Sequence, residues 1–264
     1  MLKIDIQKAF DSVHWGFIAD LLEALKFPKI FITWIMACVK SVSFKVHING
    51  RNTGEFLGGW GLKQGDPLSP LFFVISMDYF SRWMNKHSLA KDFKFHPYCK
   101  PLCLTHLMFA DDLLIFCKVD PPTIRHIMSS LSTFHKCAGL KANLTKSQMV
   151  VGGCNAQLHE QCIQLTGFTE TSFPLKYLGV PITASWLTKV ECQNLLEKII
   201  TKVRVWSTRH FSFAGRTMLI NSVIFGIINY WASIFILPTS VIDNLTQICR
   251  NFLWGGDTRL LIHP

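Results

Sequence analysis

The sequence feature that most constrains the fold is a pair of adjacent carboxylates, Asp111 and Asp112, set between two apolar runs. The runs cover residues 102–108 and 113–117, and both are rich in residues that favour β-strands. They predict a β-hairpin with the acids at its tip. A solvated turn that uses Asp as a turn former has the same pattern. If both acids instead point into a cleft, their repulsion calls for a cation, and Mg²⁺ suits carboxylate oxygens.

The composition indicates a globular chain with an excess of positive charge. Of the 264 residues, 49% are hydrophobic and 17% are charged, which is enough apolar sequence for a sizeable core. The formal net charge of +10 indicates a polyanionic partner, either nucleic acid or an anionic membrane surface. The nine cysteines include no Cys-x-x-Cys pair, which is typical of reduced thiols in an intracellular protein.

Two stretches permit alternative interpretations. Residues 96–106 carry two His and two Cys at a spacing that resembles a zinc site. Cys103 and His106 fall in or beside a predicted strand, where alternate side chains point to opposite faces, so this interpretation is disfavoured. The segment 217–237 has no charged residue and is long enough to span a bilayer. Polar residues interrupt it, so a buried helix is preferred and a membrane span is the alternative.

The order of patterns along the chain predicts an α+β body followed by a helical lobe. Residues 2–6 alternate as a strand, and the pair Asn49-Gly50 between alternating runs predicts a second hairpin. Residues 176–182 predict a further strand or hairpin. From Thr188 onward the pattern is purely helical, in three segments broken near 207–212 and Pro238. The change of pattern predicts a domain boundary near residue 185.

A third carboxylate, Asp5, lies on the first predicted strand. If that strand pairs with the hairpin in a split β-α-β arrangement, Asp5 meets Asp111 and Asp112 at one end of the sheet. Three carboxylates there could hold two Mg²⁺ ions, which activate an attacking hydroxyl and stabilise a leaving pyrophosphate. The glycine-rich segment 58–65 suits close approach of the backbone to a template or nucleotide, although a plain flexible loop has the same composition.

Five motifs stand in order along the chain: KIDIQKAFDSV at 3–13, GLKQGDPLSP at 61–70, FADD at 109–112, LKANLTKS at 140–147 and YLGVP at 177–181. Together they resemble the core motifs of reverse transcriptases, specifically those of plant-type non-LTR (LINE) retrotransposons. Residues 212–219 and 252–256 resemble the lobe that follows in this family. The resemblance implies a right-hand polymerase palm at 1–185, with a ferredoxin-like split β-α-β sheet, and an all-helical thumb at 186–264.

The resemblance also implies roles for individual residues. Asp5, Asp111 and Asp112 match the metal-binding acids of the family, with Asp112 the least essential of them. Phe10 matches an aromatic ring beneath the sugar that excludes a 2′-hydroxyl, the alternative being an ordinary core phenylalanine. The remaining matches are Gln64 and Gly65 with residues that line the template and incoming nucleotide, Lys146 with a lysine that protonates or neutralises the leaving pyrophosphate, and Tyr177, Leu178 and Gly179 with the primer grip.

The implied activity is RNA-directed DNA synthesis, in which a nucleotide is transferred from a dNTP to a primer 3′-hydroxyl with two Mg²⁺ ions, or Mn²⁺. The implied partners are an RNA template, a DNA primer and dNTPs, without a membrane. The implied location is intracellular, in the nucleus for target-primed synthesis. Basic residues of the thumb would contact phosphates, and solvated helix faces are the alternative for each of them. They are Lys189, Lys198, Lys202, Arg204, Arg209 and Arg216.

One expectation concerns the start of the chain. Family members carry fingers before the first catalytic strand, and here that strand begins directly after Met1. We therefore expect a palm and thumb without N-terminal fingers. Two functions remain open: a reverse transcriptase fragment that retains activity, and a catalytically inactive retrotransposon relic that at most binds nucleic acid.

Overall fold

The computed structural model describes residues 1–255, with the side chain of Thr53 left out, and divides into two compact units. The first unit is Met1–Ser172, and the second begins at Phe173. This division lies at the start of the last hairpin, before the helices of the lobe. The functional boundary between palm and thumb near residue 185 stays a prediction.

Strands and helices of the first unit alternate irregularly, as in an α+β fold. In chain order they are β1 (Leu2–Gln7), α1 (Trp15–Ala24), α2 (Lys29–Lys40), β2 (Ser43–Ile48), β3 (Arg51–Leu57), α3 (Ser69–His87), β4 (His106–Phe109), β5 (Asp112–Ile115), α4 (Pro121–Ala138), β6 (Lys141–Ala142), β7 (Gln148–Met149), α5 (Ala156–Thr166) and β8 (Thr169–Glu170). Short 3₁₀ turns at Phe10–Ser12 and Lys100–Leu102 complete this unit.

A six-stranded sheet lies at the centre of the first unit. On one side β1 pairs with β5, which pairs with β4, and both pairings are antiparallel. On the other side β1 pairs with β6 and β7, and β8 pairs in parallel with β7. Because β5 is antiparallel to both neighbours, β1 and β4 run parallel to each other with β5 between them. The predicted α+β class with a split β-α-β sheet is therefore confirmed.

Strand β1 alternates between the core and the opposite face of the sheet. Leu2, Ile4 and Ile6 are buried, whereas Lys3 and Asp5 are partly exposed. The buried side chains belong to one apolar cluster with residues of α1, α3 and α4. The helices therefore cover the face of the sheet that is opposite Asp5.

The hairpin predicted from Asn49-Gly50 is present as β2–β3, separate from the main sheet. Asn49 and Gly50 both have positive φ, at 49° and 79°. This backbone matches the twist of two strands joined by a two-residue turn, which explains why these residue types are found there.

The second unit contains a hairpin followed by helices. Its elements are β9 (Leu175–Tyr177), β10 (Val180–Ile182), α6 (Gln193–Ser207), α7 (Phe213–Leu219), α8 (Phe225–Ala232) and α9 (Thr239–Trp254), with a π-helical turn at Ile220–Ile224 between α7 and α8. The predicted hairpin is confirmed, and so are the three helical segments between Thr188 and Gly255. Buried residues recur at helical spacing on α6 and α9, and the two helices share one apolar cluster.

The charge-free segment 217–237 does not form one continuous α-helix. It contains the end of α7, the π-helical turn and α8, and α8 ends at Ala232. Within residues 1–255, no helix is both long and apolar enough to cross a membrane.

Gly139 ends α4 where that helix meets the turn after β1. Its φ is 81°, and a Cβ added there would lie 2.2 Å from the carbonyl oxygen of Ser12. The end of α4 and the turn after β1 are held this close because the amide of His14 donates to the carbonyl of Ala138 at 2.9 Å. We expect Gly139→Ala to lower the free energy of unfolding by about 2–4 kcal/mol, since left-handed strain adds to a backbone clash.

Gly167 provides the matched control, because it ends α5 with φ 65° and has open space around its Cα. Gly167→Ala should cost about 1 kcal/mol, from backbone strain alone. Urea unfolding of both variants measures the difference. Equal losses of unfolding free energy in the two variants would show that the close approach of Gly139 to Ser12 adds nothing to the cost of a side chain at the end of α4.

Asp120 caps the N-terminus of α4 and joins it to the loop between α3 and β4. Its carboxylate accepts hydrogen bonds from the amide of Thr123 and, at 2.7 Å, from Nζ of Lys94. Burial opposes the charged form, but the hydrogen bonds from Lys94 and Thr123 outweigh it and hold the pKa of Asp120 below its ordinary value. We expect Asp120→Ala to cost about 1–2 kcal/mol of unfolding free energy at neutral pH.

The contribution of Asp120 should depend on pH with a definite sign. Because its pKa is lower in the folded protein, the stabilisation is complete above the unfolded-state pKa and is lost as pH falls through the folded-state pKa. The gap between wild type and Asp120→Ala should therefore narrow below about pH 4. Denaturant titrations between pH 3 and pH 7 test this. Asp20→Ala, on the exposed side of α1, should change stability by less than about 0.5 kcal/mol.

Candidate functional site

The structure brings the three predicted acids of the first unit to one end of the sheet. Asp5 of β1 is the direct cross-strand partner of Asp112 of β5, and Asp112 is paired with Phe109 of β4. Asp111 is exposed in the two-residue turn between β4 and β5, after Ala110, whose φ is 51°. Directly paired residues of an antiparallel sheet share a face, so Asp5 and Asp112 lie on the same side.

The electrostatics of Asp112 reflect this crowding. Burial raises the pKa of its carboxyl above the ordinary value, and the charges of Asp111 and Asp5 raise it further. Lys3, two residues before Asp5 on the same face of β1, acts in the opposite direction. Asp5 and Asp111 are therefore close enough to oppose the ionisation of Asp112, which is the kind of environment that a bound cation stabilises.

The donor set fits a hard divalent cation, because it consists of carboxylate oxygens. Within residues 1–255 no three Asp, Glu, His or Cys side chains form a ready cluster of metal ligands. Asp5, Asp111 and Asp112 are thus neighbours through backbone pairing, and their side chains do not already converge on one point. The same finding covers the His and Cys residues of 96–106, where His106 instead contacts the hydroxyls of Thr105 and Ser81 at 2.7 and 2.9 Å.

The loop between β6 and β7 supports Asp5 through its backbone. The amide of Asn143 donates to the carbonyl of Asp5 at 2.8 Å, and the amide of Asp5 donates to Oγ of Ser147 at 3.2 Å. Ser147 is fully buried, and Lys146, directly before it, is exposed. The loop therefore carries Lys146 beside the strand that bears Asp5.

Asn143 and Ser147 were missed by the sequence interpretation. They lie in the LKANLTKS stretch, where the resemblance to the family assigned a role to Lys146 alone. Serine and asparagine are common in loops, so their presence gave no signal of this role. The contact of Ser147 with Asp5 spans 142 positions of sequence separation, so local pattern could not reveal it.

The glycine-rich segment is anchored to the turn that follows β1. The amide of Leu62 donates to the carbonyl of Phe10 at 2.7 Å, and that of Gly61 to the carbonyl of Val13 at 2.8 Å. Nε1 of Trp15 donates to the carbonyl of Gly61 at 2.6 Å. Gly61 is required here, since its φ is 88° and a Cβ would lie 2.8 Å from the carbonyl oxygen of Asp11.

These bonds place the predicted nucleotide-binding residues near one another. Phe10 is half-buried and stacks on Phe73 of α3, with ring centroids 4.8 Å apart, so one side of its ring packs on the core. Gln64 is exposed, and its Nε2 donates to Oδ1 of Asp11 at 3.5 Å. Gly65 follows with φ 90° and open space around its Cα.

The predicted primer-grip residues belong to the second unit. Tyr177 pairs with Val180, and Leu178 and Gly179 form the turn of the β9–β10 hairpin, with φ of 48° and 84°. The hydroxyl of Tyr230 on α8 donates to the carbonyl of Leu178 at 2.6 Å, which fastens the turn to the helices.

The basic residues of the second unit differ in their surroundings. Lys189, Lys198, Arg204 and Arg209 are exposed, and Lys202 is partly buried. Arg216 has a structural contact that sequence did not predict: its guanidinium donates to the carbonyls of Phe252 and Leu253 at 3.2 and 3.5 Å. A cation at the C-terminal end of α9 satisfies carbonyls that the helix leaves without partners. Of the motif at 252–256, Gly256 lies outside the described residues.

Comparison with known proteins identifies the family. Residues 1–182 match the model of the reverse transcriptase (RNA-dependent DNA polymerase) family. A Pol polyprotein of the type-2 retrotransposable element R2DM from Drosophila melanogaster is 29% identical over 234 residues, which are 82% of this chain and 21% of that protein. A Pol polyprotein of the type-1 element R2 from Popillia japonica is 26% identical over 205 residues, covering 74% of this chain and 32% of that protein.

Among solved structures, a telomerase from Candida albicans in complex with a fragment of telomeric RNA aligns with 96% of this chain and 43% of its own, at 11% identity and a TM-score of 0.49. The chain spans a fifth to a third of the length of the two polyproteins. The family model covers more than half of the chain, and the relatives are proteins of non-LTR retrotransposons. The chain therefore belongs to the reverse transcriptase family.

Proposed function

We propose that this chain is the polymerising part of a retrotransposon protein and copies an RNA template into DNA. The observation that carries the proposal is the register of the sheet, which pairs Asp5 with Asp112 and leaves Asp111 in the adjoining turn. Membership of the reverse transcriptase family supports the same reaction. The substrates would be dNTPs, with an RNA template and a DNA primer as partners.

In this proposal Asp5 and Asp111 bind two Mg²⁺ ions, or Mn²⁺, and Asp112 contributes less. When bound, such ions stabilise the attacking 3′-hydroxyl and the leaving pyrophosphate. The sheet supports this role because it holds Asp5 on a paired strand and Asp111 in the adjoining tight turn, so little reorganisation is needed during the reaction. Lys146, on the loop bonded to Asp5, would neutralise or protonate the pyrophosphate.

The remaining predicted residues would position the substrates. Gln64 and Gly65 would line the template and the incoming nucleotide, next to Phe10. Phe10 would exclude a 2′-hydroxyl with the side of its ring that does not stack on Phe73. The turn at 177–179 would hold the primer end, and the exposed basic residues of the second unit would contact phosphates. The assignment to plant-type elements rests on the motifs alone, and a phylogenetic tree of residues 1–182 tests it.

Asp111→Ala tests the metal-binding acids, and because Asp111 is exposed in a turn its loss should leave the fold intact. We expect Mg²⁺-dependent primer extension on an RNA template to fall by about 1,000-fold or more. We also expect the rise in melting temperature caused by Mg²⁺ to shrink. Asp20→Ala, on the exposed side of α1, is the matched control for loss of an acid. Extension that survives Asp111→Ala, or a wild-type chain that binds primer–template without extending it, would refute the proposal.

Phe10→Leu tests the discrimination between deoxyribonucleotides and ribonucleotides. Shortening the ring opens space beneath the sugar, so the ratio of kcat/KM for dNTPs over rNTPs should fall by about tenfold or more. Steady-state kinetics with matched nucleotide pairs measure this ratio. A purely structural role, through the stack on Phe73, would instead lower the melting temperature and leave the ratio unchanged.

A further inference from the structure

The turn of the β9–β10 hairpin is supported by two short strands. The strands have three residues each and form a separate two-stranded sheet, in which Tyr177 pairs with Val180 across the turn. A two-stranded hairpin is at best marginally stable on its own. The position of its turn therefore depends on contacts with the helices of the second unit.

Packing holds the base of this hairpin more firmly than its turn. Leu175 and Val180 are buried, and Val180 belongs to the apolar cluster of the helices. At the turn itself, Leu178 is half-buried and Gly179 is exposed. An open groove of about 900 Å³ lies beside the turn, lined by Leu178 on the hairpin and by Tyr230 of α8. The turn therefore borders open space instead of packing against a continuous core.

Tyr230 reaches the turn with its hydroxyl group. Its Oη donates to the carbonyl oxygen of Leu178 at 2.6 Å, near the short end of the range for such bonds. The tyrosine is half-exposed on α8, whereas Trp231 beside it is buried in the apolar cluster. Because α8 is fixed by its buried side, the hydrogen bond from Tyr230 joins the turn to a fixed helix.

The backbone of the turn needs such support. Leu178 has a φ of 48° and Gly179 has a φ of 84°, as two-residue turns between antiparallel strands require. Glycine adopts this conformation freely, but a leucine there is strained and keeps it only where its surroundings hold it. The hydrogen bond from Tyr230 to the carbonyl of Leu178 is one such constraint.

A displaced turn would matter for the reaction, because the proposed function assigns residues 177–179 to the primer end. The attacking 3′-hydroxyl must lie within about 3–3.5 Å of the atom that it attacks, and a misplacement of about 1 Å can lower the rate about 100-fold. A hairpin that is held at its base by packing could still move at its turn if the bond from Tyr230 were absent.

We propose that Tyr230 is a positioning residue for the polymerase reaction. Its hydroxyl holds the left-handed backbone of Leu178, and through it the turn that binds the primer end. The proposal rests on the proposed function, because it takes this turn as the primer grip. It adds a residue of α8, which lies outside the residues 1–182 that match the family model. Tyr230 acts through Leu178 and contacts neither the substrates nor the metal ions.

Tyr230→Phe in the full chain removes the hydroxyl and keeps the ring that lines the groove. We expect kcat for primer extension to fall about tenfold, because a misplaced primer end impairs the transition state more than it impairs binding. KM for the dNTP and Kd for the primer–template duplex should each change by less than about twofold. The melting temperature should fall by no more than about 4 °C. Steady-state kinetics and fluorescence anisotropy provide these constants.

Tyr98→Phe is the matched control for loss of a tyrosine hydroxyl. Tyr98 is exposed in the first unit, away from the β9–β10 hairpin in the chain, and its variant should keep the wild-type kcat.

A second comparison tests whether the hydroxyl acts through the turn. Asparagine adopts positive φ more readily than leucine, and Asn-Gly is a preferred pair for such turns. A chain that carries Leu178→Asn should therefore depend less on the bond from Tyr230. In that background, Tyr230→Phe should lower kcat by less than about threefold, which the double-mutant cycle reports as coupling between the two positions.

The outcomes separate this inference from the proposed function. A kcat that is unchanged in Tyr230→Phe, with or without a lower melting temperature, would overturn the positioning role, while extension abolished by Asp111→Ala would keep the polymerase assignment. Equal losses of kcat from Tyr230→Phe with and without Leu178→Asn would also overturn the inference, since the hydroxyl would then act elsewhere. A wild-type chain that binds primer–template without extending it would refute the proposed function itself, and this inference with it.

Discussion

Strand β1 is paired along both edges, and the candidate site depends on that double pairing. On one edge β5 fixes which residue of the hairpin faces Asp5, and the register selects Asp112. On the other edge β6 and β7 pair with the two ends of β1, and the loop between them meets Asp5 through Asn143 and Ser147. A shift of β1 by one residue in either pairing would exchange its two faces and point the Asp5 side chain toward the helices of the core. The buried Leu2, Ile4 and Ile6 oppose such a shift, because each would become exposed.

This arrangement holds acids together against their repulsion. Burial and two neighbouring negative charges disfavour the charged form of Asp112, and they therefore raise the pKa of its carboxyl. The apolar cluster beneath the sheet and the backbone bonds of β1 supply the free energy that offsets the repulsion. Repulsion between neighbouring carboxylates is common at sites that bind cations, because the bound ion offsets that repulsion. The glycine-rich segment is bonded to Phe10 and Trp15, which directly follow β1, so that segment is positioned by the same part of the chain as Asp5.

Local patterns predicted the elements well because each is encoded by neighbouring residues. The pair Asn49-Gly50 predicted a hairpin through its positive φ angles, and the alternation of residues 2–6 predicted the core strand. The helical lobe was predicted from the spacing of apolar residues. The sequence interpretation did not foresee the π-helical turn at Ile220–Ile224, the contact of Arg216 with the end of α9, or the support of Asp5 by Ser147. The contacts of Arg216 and Ser147 join residues that are distant in the chain, so local patterns could not reveal them.

The sequence alone determined the family and the α+β class, because motif order and local periodicity are written in consecutive residues. It also singled out Asp5, Asp111 and Asp112 as candidate acids. Only the tertiary structure decided where Asp111 and Asp112 lie relative to Asp5. Asp112 became a strand residue opposite Asp5, partly buried beside Lys3, whereas Asp111 remained an exposed turn residue. Adjacent residues in a strand and its turn face different surroundings, and which of them meets Asp5 is set by hydrogen-bond register between segments more than 100 positions apart.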